Sequence, residues 1–428
     1  MPTIVTSDAI RSESEYQTDS RWPTNGCPGA VSGTNDANRV EQSVHLGASA
    51  LADRGAEIEA LRRLPTDIVE QLRAWGVFRL LMPKALGGTE APPALVFRVV
   101  EDLAWADASV GWCAMIGLGT NLLASLLPEQ GAREIFERGD EITAGAVMPN
   151  GRAVVLPDGS YRVSGEWPFA SGIKHCDWIC GGSLVVDDEG RPRTNAAGAP
   201  DLRFAWVPAR EVEVLDTWDV VGLQGTGSHD YRVQDALVPA RRMLSLADCH
   251  AWWSGPLWRT VVSASGAASP FTLLFPLVAA VSIGIAHRAV DELITLATDK
   301  VPYRSTRPLR ERGLAQASVA RAEALSTSAR CYFHQAANEI WDTVNRGEDV
   351  PMSQRARVRL ATLHAGQVAA EAVRLCYQTA GGTALYRRHP LQRLFRDAHA
   401  ATQHWILNPC GYETVGRVLF GLAADVPL

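Results

Sequence analysis

Between about Glu141 and Leu244 the chain stops reading as helix. Short β-rich runs there (Gly145-Ala-Val-Met, Tyr161-Arg-Val-Ser-Gly, Trp178-Ile-Cys-Gly-Gly-Ser-Leu-Val-Val, Arg203-Phe-Ala-Trp-Val-Pro) alternate with turns rich in Gly, Pro and Asp. On both sides apolar residues recur every three or four positions. One periodicity cannot serve both elements, so the order must be helix, sheet, helix. At 428 residues there is chain enough for two or three domains around a large core. The composition shifts place a disordered or loosely attached leader at 1–42 and a helical domain at 43–140. A β-barrel or sandwich comes next at 141–245, then a connecting loop at 246–268 and a helical bundle at 269–428.

Several features narrow the function. Charged residues are 21 % and the net charge is −6, which leaves no basic footprint for nucleic acid. The most apolar stretch, Thr272 to Ala286, contains Pro276 and is shorter than the ~20 residues a membrane span needs. It reads as a helix buried in the core or at a subunit interface. The first residues lack a signal-peptide pattern. Eight cysteines are scattered, and His175-Cys176 with Cys180 lacks a second pair at zinc spacing. Free buried thiols in a reducing cytoplasm are the expectation. Thirteen tryptophans suit an aromatic-ligand pocket and ordinary packing equally.

Near the N-terminus Thr66 is placed to cap a helix. Ile68, Val69, Leu72 and Trp75 would form its apolar face and Gly76 its stop. Near the C-terminus, His389 to Pro409 gathers three histidines, charged groups and a tryptophan. Leu391, Leu394 and Phe395 mark a core-facing stripe, with Pro390 at a helix start and Pro409 as a stop. Arg393 and Asp397 are spaced as an i, i+4 pair. Asp397 and His404 would fall nearly on one face, about 10 Å apart along the axis. A surface ion pair beside a core histidine, or a histidine poised for acid–base work, both fit that spacing.

Gly222-Leu-Gln-Gly-Thr-Gly-Ser228 invites a dinucleotide-binding reading. The next residues, His229 to Pro239, alternate like a strand, whereas that fingerprint needs a helix there. We therefore expect a turn between strands and no built-in NAD(P)H site.

Gly381-Gly382, then Pro390-Leu391-x-Arg393-x-x-Arg396-Asp397 and His404, resembles the C-terminal domain of the acyl-CoA dehydrogenase fold. More narrowly it resembles the oxygenase component of two-component flavin monooxygenases, of the 4-hydroxyphenylacetate hydroxylase and dibenzothiophene monooxygenase type. Leu64-Pro65, Leu72 to Phe78, Gly87-Gly88 and Ala108 to Trp112 match the same family, so the resemblance spans about 45 to 428. It implies a mostly α fold with a central β domain: N-terminal helices, a middle β-barrel and a C-terminal four-helix bundle. Acyl-CoA dehydrogenases supply a catalytic Glu where this chain has Trp405 or its neighbour. An indole cannot remove an α proton, so oxygenation is preferred over dehydrogenation.

The resemblance also implies partners and roles. Reduced FMN or FAD, with FMN favoured, would come from a separate NAD(P)H:flavin reductase. Dioxygen would be the co-substrate, a small aromatic or polycyclic molecule the substrate, and a homotetramer the assembly. His404 and Ser171 would be catalytic, holding a C4a-hydroperoxide, and His404 would deprotonate a phenol. Trp167 and Phe169 would cover the flavin ring, with Ser171 near N5. Alone, Trp167 to Gly172 also reads as packing aromatics beside a turn. Arg304, among Arg307, Arg310 and Arg312, would hold the flavin phosphate across a subunit boundary. Gln378, Gly381, Gly382 and Thr383 would approach the flavin, or simply cap a helix. Relatives often carry a histidine about eight residues after Trp112; here Leu118 to Asn121 stand there. Thr120 and Asn121 are thus substrate hydrogen-bond candidates. Trp253, beside Trp252 and Trp258, would line the substrate mouth. The rivals are an acyl-CoA dehydrogenase or oxidase, a nitrogen- or sulfur-oxygenating member, and a catalytically dead ligand-binding homologue.

Overall fold

In the computed structural model the described residues are 33–195, 198–247, 249, 252–262 and 269–426. The helices before the sheet are α1 (Asn35–Ala52), α2 (Gly55–Leu61), α3 (Thr66–Trp75), α4 (Pro93–Ala106), α5 (Ala108–Ala124) and α6 (Glu129–Ile135). Helix α1 begins inside the stretch expected to be leader. Thr34 caps it, and Ala37, Val40, Val44, Ala48 and Leu51 are buried at helical spacing. Small residues and a polar first turn hid that stripe in the sequence. The rest of the expected leader, 1–32, lies outside the described residues. At α3 Pro65 holds the cap position, not Thr66, and Gly76 ends the helix at φ +83°.

The strands are β1 (Thr143–Val155), β2 (Tyr161–Ala170), β3 (Trp178–Val186), β4 (Leu202–Pro208), β5 (Glu213–Leu215), β6 (His229–Val238) and β7 (Met243–Leu244). They form one sheet in the order β5-β6-β2-β1-β3-β4-β7. β1 and β3 run parallel, and the other pairs antiparallel. Behind the sheet come α7 (Pro256–Val261), α8 (Phe271–Asp299), α9 (Gly313–Asn345), α10 (Met352–Ala380), α11 (Pro390–Ala401) and α12 (Gly411–Leu419). Helix α7 falls within the expected connecting loop.

Two helices organise the interior. Helix α8 is long and apolar enough to cross a membrane, but 89 % of its apolar window is buried in the protein. It is the bundle's core helix, packed on α4, α10 and α11. Gly284 lets it approach α4 closely: a Cβ there would lie 2.3 Å from the Glu101 carbonyl oxygen. Helix α5 is buried on nearly every side. It touches α4, α8, β1 and the turn before β6, so its side chains reach all three parts of the fold.

Trp167 belongs to the sheet's own core. It is fully buried, stacks on Tyr231 at 5.1 Å, and donates from Nε1 to the Gly182 carbonyl at 2.7 Å. Gly151, Gly165 and Gly181 leave room for the indole, since a Cβ on any of them would come within 3 Å of it. Its expected place over a flavin is therefore corrected. The β2–β6 register shifts between Trp167 and Ala170, and Phe169 adopts φ +64°. That bulge breaks the alternation, turning Trp167 inward and leaving Phe169 69 % exposed.

Candidate active site

One indole brings the two expected catalytic residues together. Trp112, on α5, donates from Nε1 to Ser171 Oγ at 3.0 Å. The same ring meets the His404 imidazole edge-on, with centroids 5.5 Å apart. Ser171 is 5 % exposed. Its hydroxyl lies 2.6 Å from Ser228 Oγ, which lies 2.6 Å from Thr226 Oγ1. Thr226 in turn donates to the Leu223 carbonyl at 2.8 Å. Gly172 N–H and the Cys113 thiol both donate to the Thr226 carbonyl, pinning the turn to β2 and α5.

His404 is not on α11. That helix ends at Ala401, and His404 caps the short 3-10 turn Trp405–Leu407. The expected shared face with Asp397 is thus absent. His404 Nδ1 accepts the Ile406 N–H at 3.4 Å, which leaves the ring hydrogen on Nε2. Burial, then the nearby Arg359 guanidinium, push its pKa down to about 4. At neutral pH the imidazole is uncharged and offers an Nε2–H donor, an arrangement opposed to the phenol-deprotonating role. Arg359 donates to the Ile406 carbonyl and sits 4.7 Å over the Phe275 ring, which meets Trp405 edge-on at 5.2 Å. Trp405 remains 48 % exposed. Across the site Phe169 meets Trp218 edge-on at 6.1 Å.

Asp397 has a different partner from the one expected. Its carboxylate accepts the Leu223 N–H at 2.6 Å, while Arg393 turns to Asp107 at 3.7 Å. Leu223 sits at φ +54°, so Asp397 pins a left-handed residue in the turn that carries Thr226 and Ser228. Gly222 packs under α11, where a Cβ would lie 2.4 Å from the Arg396 carbonyl oxygen. Burial, then the Asp107 charge, raise the Asp397 pKa to about 7. The folded chain therefore keeps this proton up to about pH 7, whereas the unfolded chain releases it near 3.8. Stability from this group falls as pH rises across that window. Asp397→Asn should raise the melting temperature by a few degrees at pH 8 and leave it unchanged at pH 3.5, where both side chains are neutral. Equal shifts at the two pH values in scanning fluorimetry would contradict the raised pKa.

Other expected residues lie elsewhere. Thr120 Oγ1 donates to the Ile116 and Thr143 carbonyls at 2.9 and 2.7 Å. Asn121 donates to the Phe78 and Glu141 carbonyls and accepts the Thr143 N–H. Both are buried and committed to the α5–β1 seam, so neither is placed to meet substrate. Trp253 donates from Nε1 to the Ser125 carbonyl at 2.6 Å, tying the connecting segment to the end of α5. Its ring lies tilted against Trp258, with centroids 6.4 Å apart, and packs on the core, which fits packing better than a substrate mouth. Gln378, Gly381, Gly382 and Thr383 cluster at the C-terminal end of α10, with Gly381 at φ +57°. Lys300 donates to the Ala380 carbonyl and draws in the loop holding Arg304, which is exposed beside Tyr303. Arg359, near His404, is 19 residues back from Gln378, roughly 28 Å along α10. Within one chain these residues do not meet Ser171 and His404.

Trp112 was not singled out as functional by the sequence, and Thr226 and Ser228 were met only as part of the Gly222 to Ser228 turn. Trp112 carried a signal, because a buried indole N–H needs an acceptor. The residues at this corner fit a flavin. Phe169 and Trp405 leave aromatic surface exposed for a flat ring, and the hydroxyl and imidazole are available to its polar edge.

Residues 40–138 match the acyl-CoA dehydrogenase N-terminal domain family and residues 277–409 the C-terminal domain family. Frame and site thus define an enzyme of acyl-CoA dehydrogenase architecture. The chain is 33 % identical to indole-3-acetate monooxygenase of Pseudomonas putida over 86 % of its length and 90 % of the relative. It is 30 % identical to the flavin-dependent monooxygenase oxygenase subunit HsaA of Rhodococcus jostii, over 87 % and 96 %. The crystal structure of 3-HSA hydroxylase from Rhodococcus superposes with a TM-score of 0.82 at 28 % identity, covering 92 % of this chain and 99 % of that one. XiaF from Streptomyces, solved with FADH2 and glycerol, gives 0.80 at 28 % identity, covering 91 % and 97 %. The chain belongs to the flavin-dependent monooxygenases of this fold, as an oxygenase component.

Proposed function

We propose that this oxygenase hydroxylates a small aromatic molecule, using reduced flavin delivered by a separate NAD(P)H:flavin reductase. The observation that carries the reading is Trp112 touching both Ser171 and His404 in one corner. Bound reduced flavin supplies the electrons that activate dioxygen, so that one oxygen atom goes to substrate and the other to water. Ser171 meets the flavin edge near N5. His404, neutral and carrying its hydrogen on Nε2, donates to oxygen at the reacting centre. Phe169 and Trp405 shield the site, because water there would waste the oxidant as peroxide. The names of relatives support an aromatic substrate: indole-3-acetate in one, resorcinol in another. FAD is the first flavin to test, beside FMN, since a resorcinol hydroxylase relative is FADH2-dependent and XiaF binds FADH2.

The second half of the flavin site is proposed to come from a neighbouring subunit of a homotetramer. Arg304, Gln378 and Gly381 to Thr383 lie far from Ser171 along the bundle, at an end that also exposes Leu385 and Tyr386. Free cysteines among the described residues suit a cytoplasmic location. The dehydrogenase reading has less support: Glu413 is exposed on α12, and Asp397 is spent on Leu223.

The test is anaerobic protein with reduced FAD or FMN, then oxygen, with phenol, resorcinol and indole-3-acetate as trial substrates. A product heavier by one oxygen, in unchanged yield with catalase present, is expected. Hydrogen peroxide as the sole product across the panel would favour the catalytically dead reading. Bleaching of tightly bound flavin by an acyl-CoA would favour the dehydrogenase.

A further inference from the structure

The hydroxyls behind Ser171 can be oriented in only one direction. At one end an indole N–H can only donate, and Trp112 gives it to Ser171. At the other a carbonyl can only accept, and Leu223 takes the Thr226 proton. Thr226 must then accept from Ser228, and Ser228 from Ser171. Each hydroxyl has one hydrogen, so all three are spent along the chain. Ser171, Ser228 and Thr226 are at most 5 % exposed, which leaves no bulk water to substitute for a lost partner. The far end is held as well. The Leu223 carbonyl also accepts from Trp218 Nε1 at 3.1 Å, and its N–H is captured by Asp397. Reversing the chain would set the Thr226 and Leu223 oxygens 2.8 Å apart with no hydrogen between them.

Ser171 is therefore left with a spare lone pair and no hydrogen to give. Flavin N5 changes character with redox state: it bears a hydrogen when reduced and a bare lone pair when oxidised. We propose that Ser228 and Thr226 are positioning residues that hold the Ser171 hydroxyl as a hydrogen-bond acceptor toward N5, so that the site favours reduced over oxidised flavin. This rests on the proposed function, which places Ser171 at N5. Its consequence suits an enzyme that receives reduced flavin from elsewhere. Oxidised flavin, abundant in solution, meets two opposed lone pairs and is turned away, while the reduced form gains a bond.

The experiment measures dissociation constants of oxidised and anaerobically reduced FAD and FMN for the full chain and three variants. Thr226→Val keeps the side-chain shape and removes the donor to Leu223; Ser228→Ala frees the Ser171 proton directly. In either, Ser171 can turn a hydrogen toward oxidised N5. The ratio of oxidised to reduced dissociation constants is expected to fall about tenfold, a rise in binding of the oxidised form leading the change. For a two-electron couple, tenfold corresponds to about 30 mV in the bound-flavin potential. A merely structural loss would weaken both forms together and leave the ratio unmoved, which would overturn the proposal. Ser171→Ala separates the two layers. If it alters neither constant, Ser171 does not face N5 and the proposed placement fails. If it alters the ratio while Thr226→Val and Ser228→Ala do not, that placement stands and the relay is refuted. Should Ser228→Ala fold poorly, Thr226→Val decides alone.

Discussion

His404→Ala is expected to cut turnover to oxygenated product by about 10²-fold, the usual contribution of a positioned proton donor. Oxygen consumption should continue, with peroxide replacing product. Two further substitutions tell donation apart from folding. His404 also caps the turn at Trp405 by accepting the Ile406 N–H. Asparagine can keep that acceptor, because it is a good cap residue, but its shorter side chain cannot reach where Nε2 stands. His404→Asn should therefore fold as wild type and lose product as severely as alanine. Glutamine is longer and can set an amide N–H near the Nε2 position, so His404→Gln should recover part of the yield. The pH profile adds an independent check. With its pKa near 4, His404 stays neutral from pH 6 to 9, and coupling should be flat there on its account. Product yield in His404→Ala equal to wild type, measured against flavin oxidised, removes the imidazole from the reaction.

The parts of this molecule that were legible in the sequence are those fixed by local pattern. Helix, sheet, helix could be read because the periodicity changes once on each side of a long β-rich stretch. Pro390 sits at the start of α11 and Leu391 and Leu394 are buried, as the stripe required. The glycine run at Gly222 is a turn before a strand, because the residues after it alternate. What failed depended on partners far off in sequence. Trp167 and Phe169, two apart, should share a face, and only the bulge between them sends one into the sheet and the other to solvent. Thr120 and Asn121 looked available to substrate because nothing local shows that Phe78, Glu141 and Thr143 use up their hydrogen bonds. His404 was carried along a helix that stops three residues earlier, since Pro409 seemed to mark the end. Asp397 was matched with Arg393 by spacing, yet a backbone N–H in another domain holds it. Side-chain chemistry was readable; its commitments were not.

The second large effect concerns the joint between the outer helical parts. Glu101→Ala is expected to lower unfolding stability by about 3–5 kcal/mol, the cost of breaking one side of a buried ion pair. Glu101 lies on α4, buried, with Arg330 Nε and His334 Nε2 of α9 each 2.7 Å from one of its oxygens. Burial alone would raise its pKa, but the charges of Arg330 and His334 and their hydrogen bonds outweigh that and bring it down to about 2. The stabilisation is fully present above the unfolded value of 4.5 and is lost as pH falls through about 2. Removing the carboxylate leaves the Arg330 guanidinium buried without its strongest counter-charge, and the loss comes from that more than from the missing contact. The distinction can be measured. Glu101→Leu with Arg330→Met removes both charges and fills similar volume, and pairs replaced in this way often regain most of the stability. The double variant should therefore unfold at a denaturant concentration nearer wild type than Glu101→Ala alone, followed by far-ultraviolet circular dichroism. It should also be less sensitive to acid than wild type below pH 4. If the double variant is as unstable as the single, the pair contributes attraction beyond its desolvation cost. The α4–α9 joint would then depend on that charge pair rather than on apolar packing such as Phe97 against Phe333.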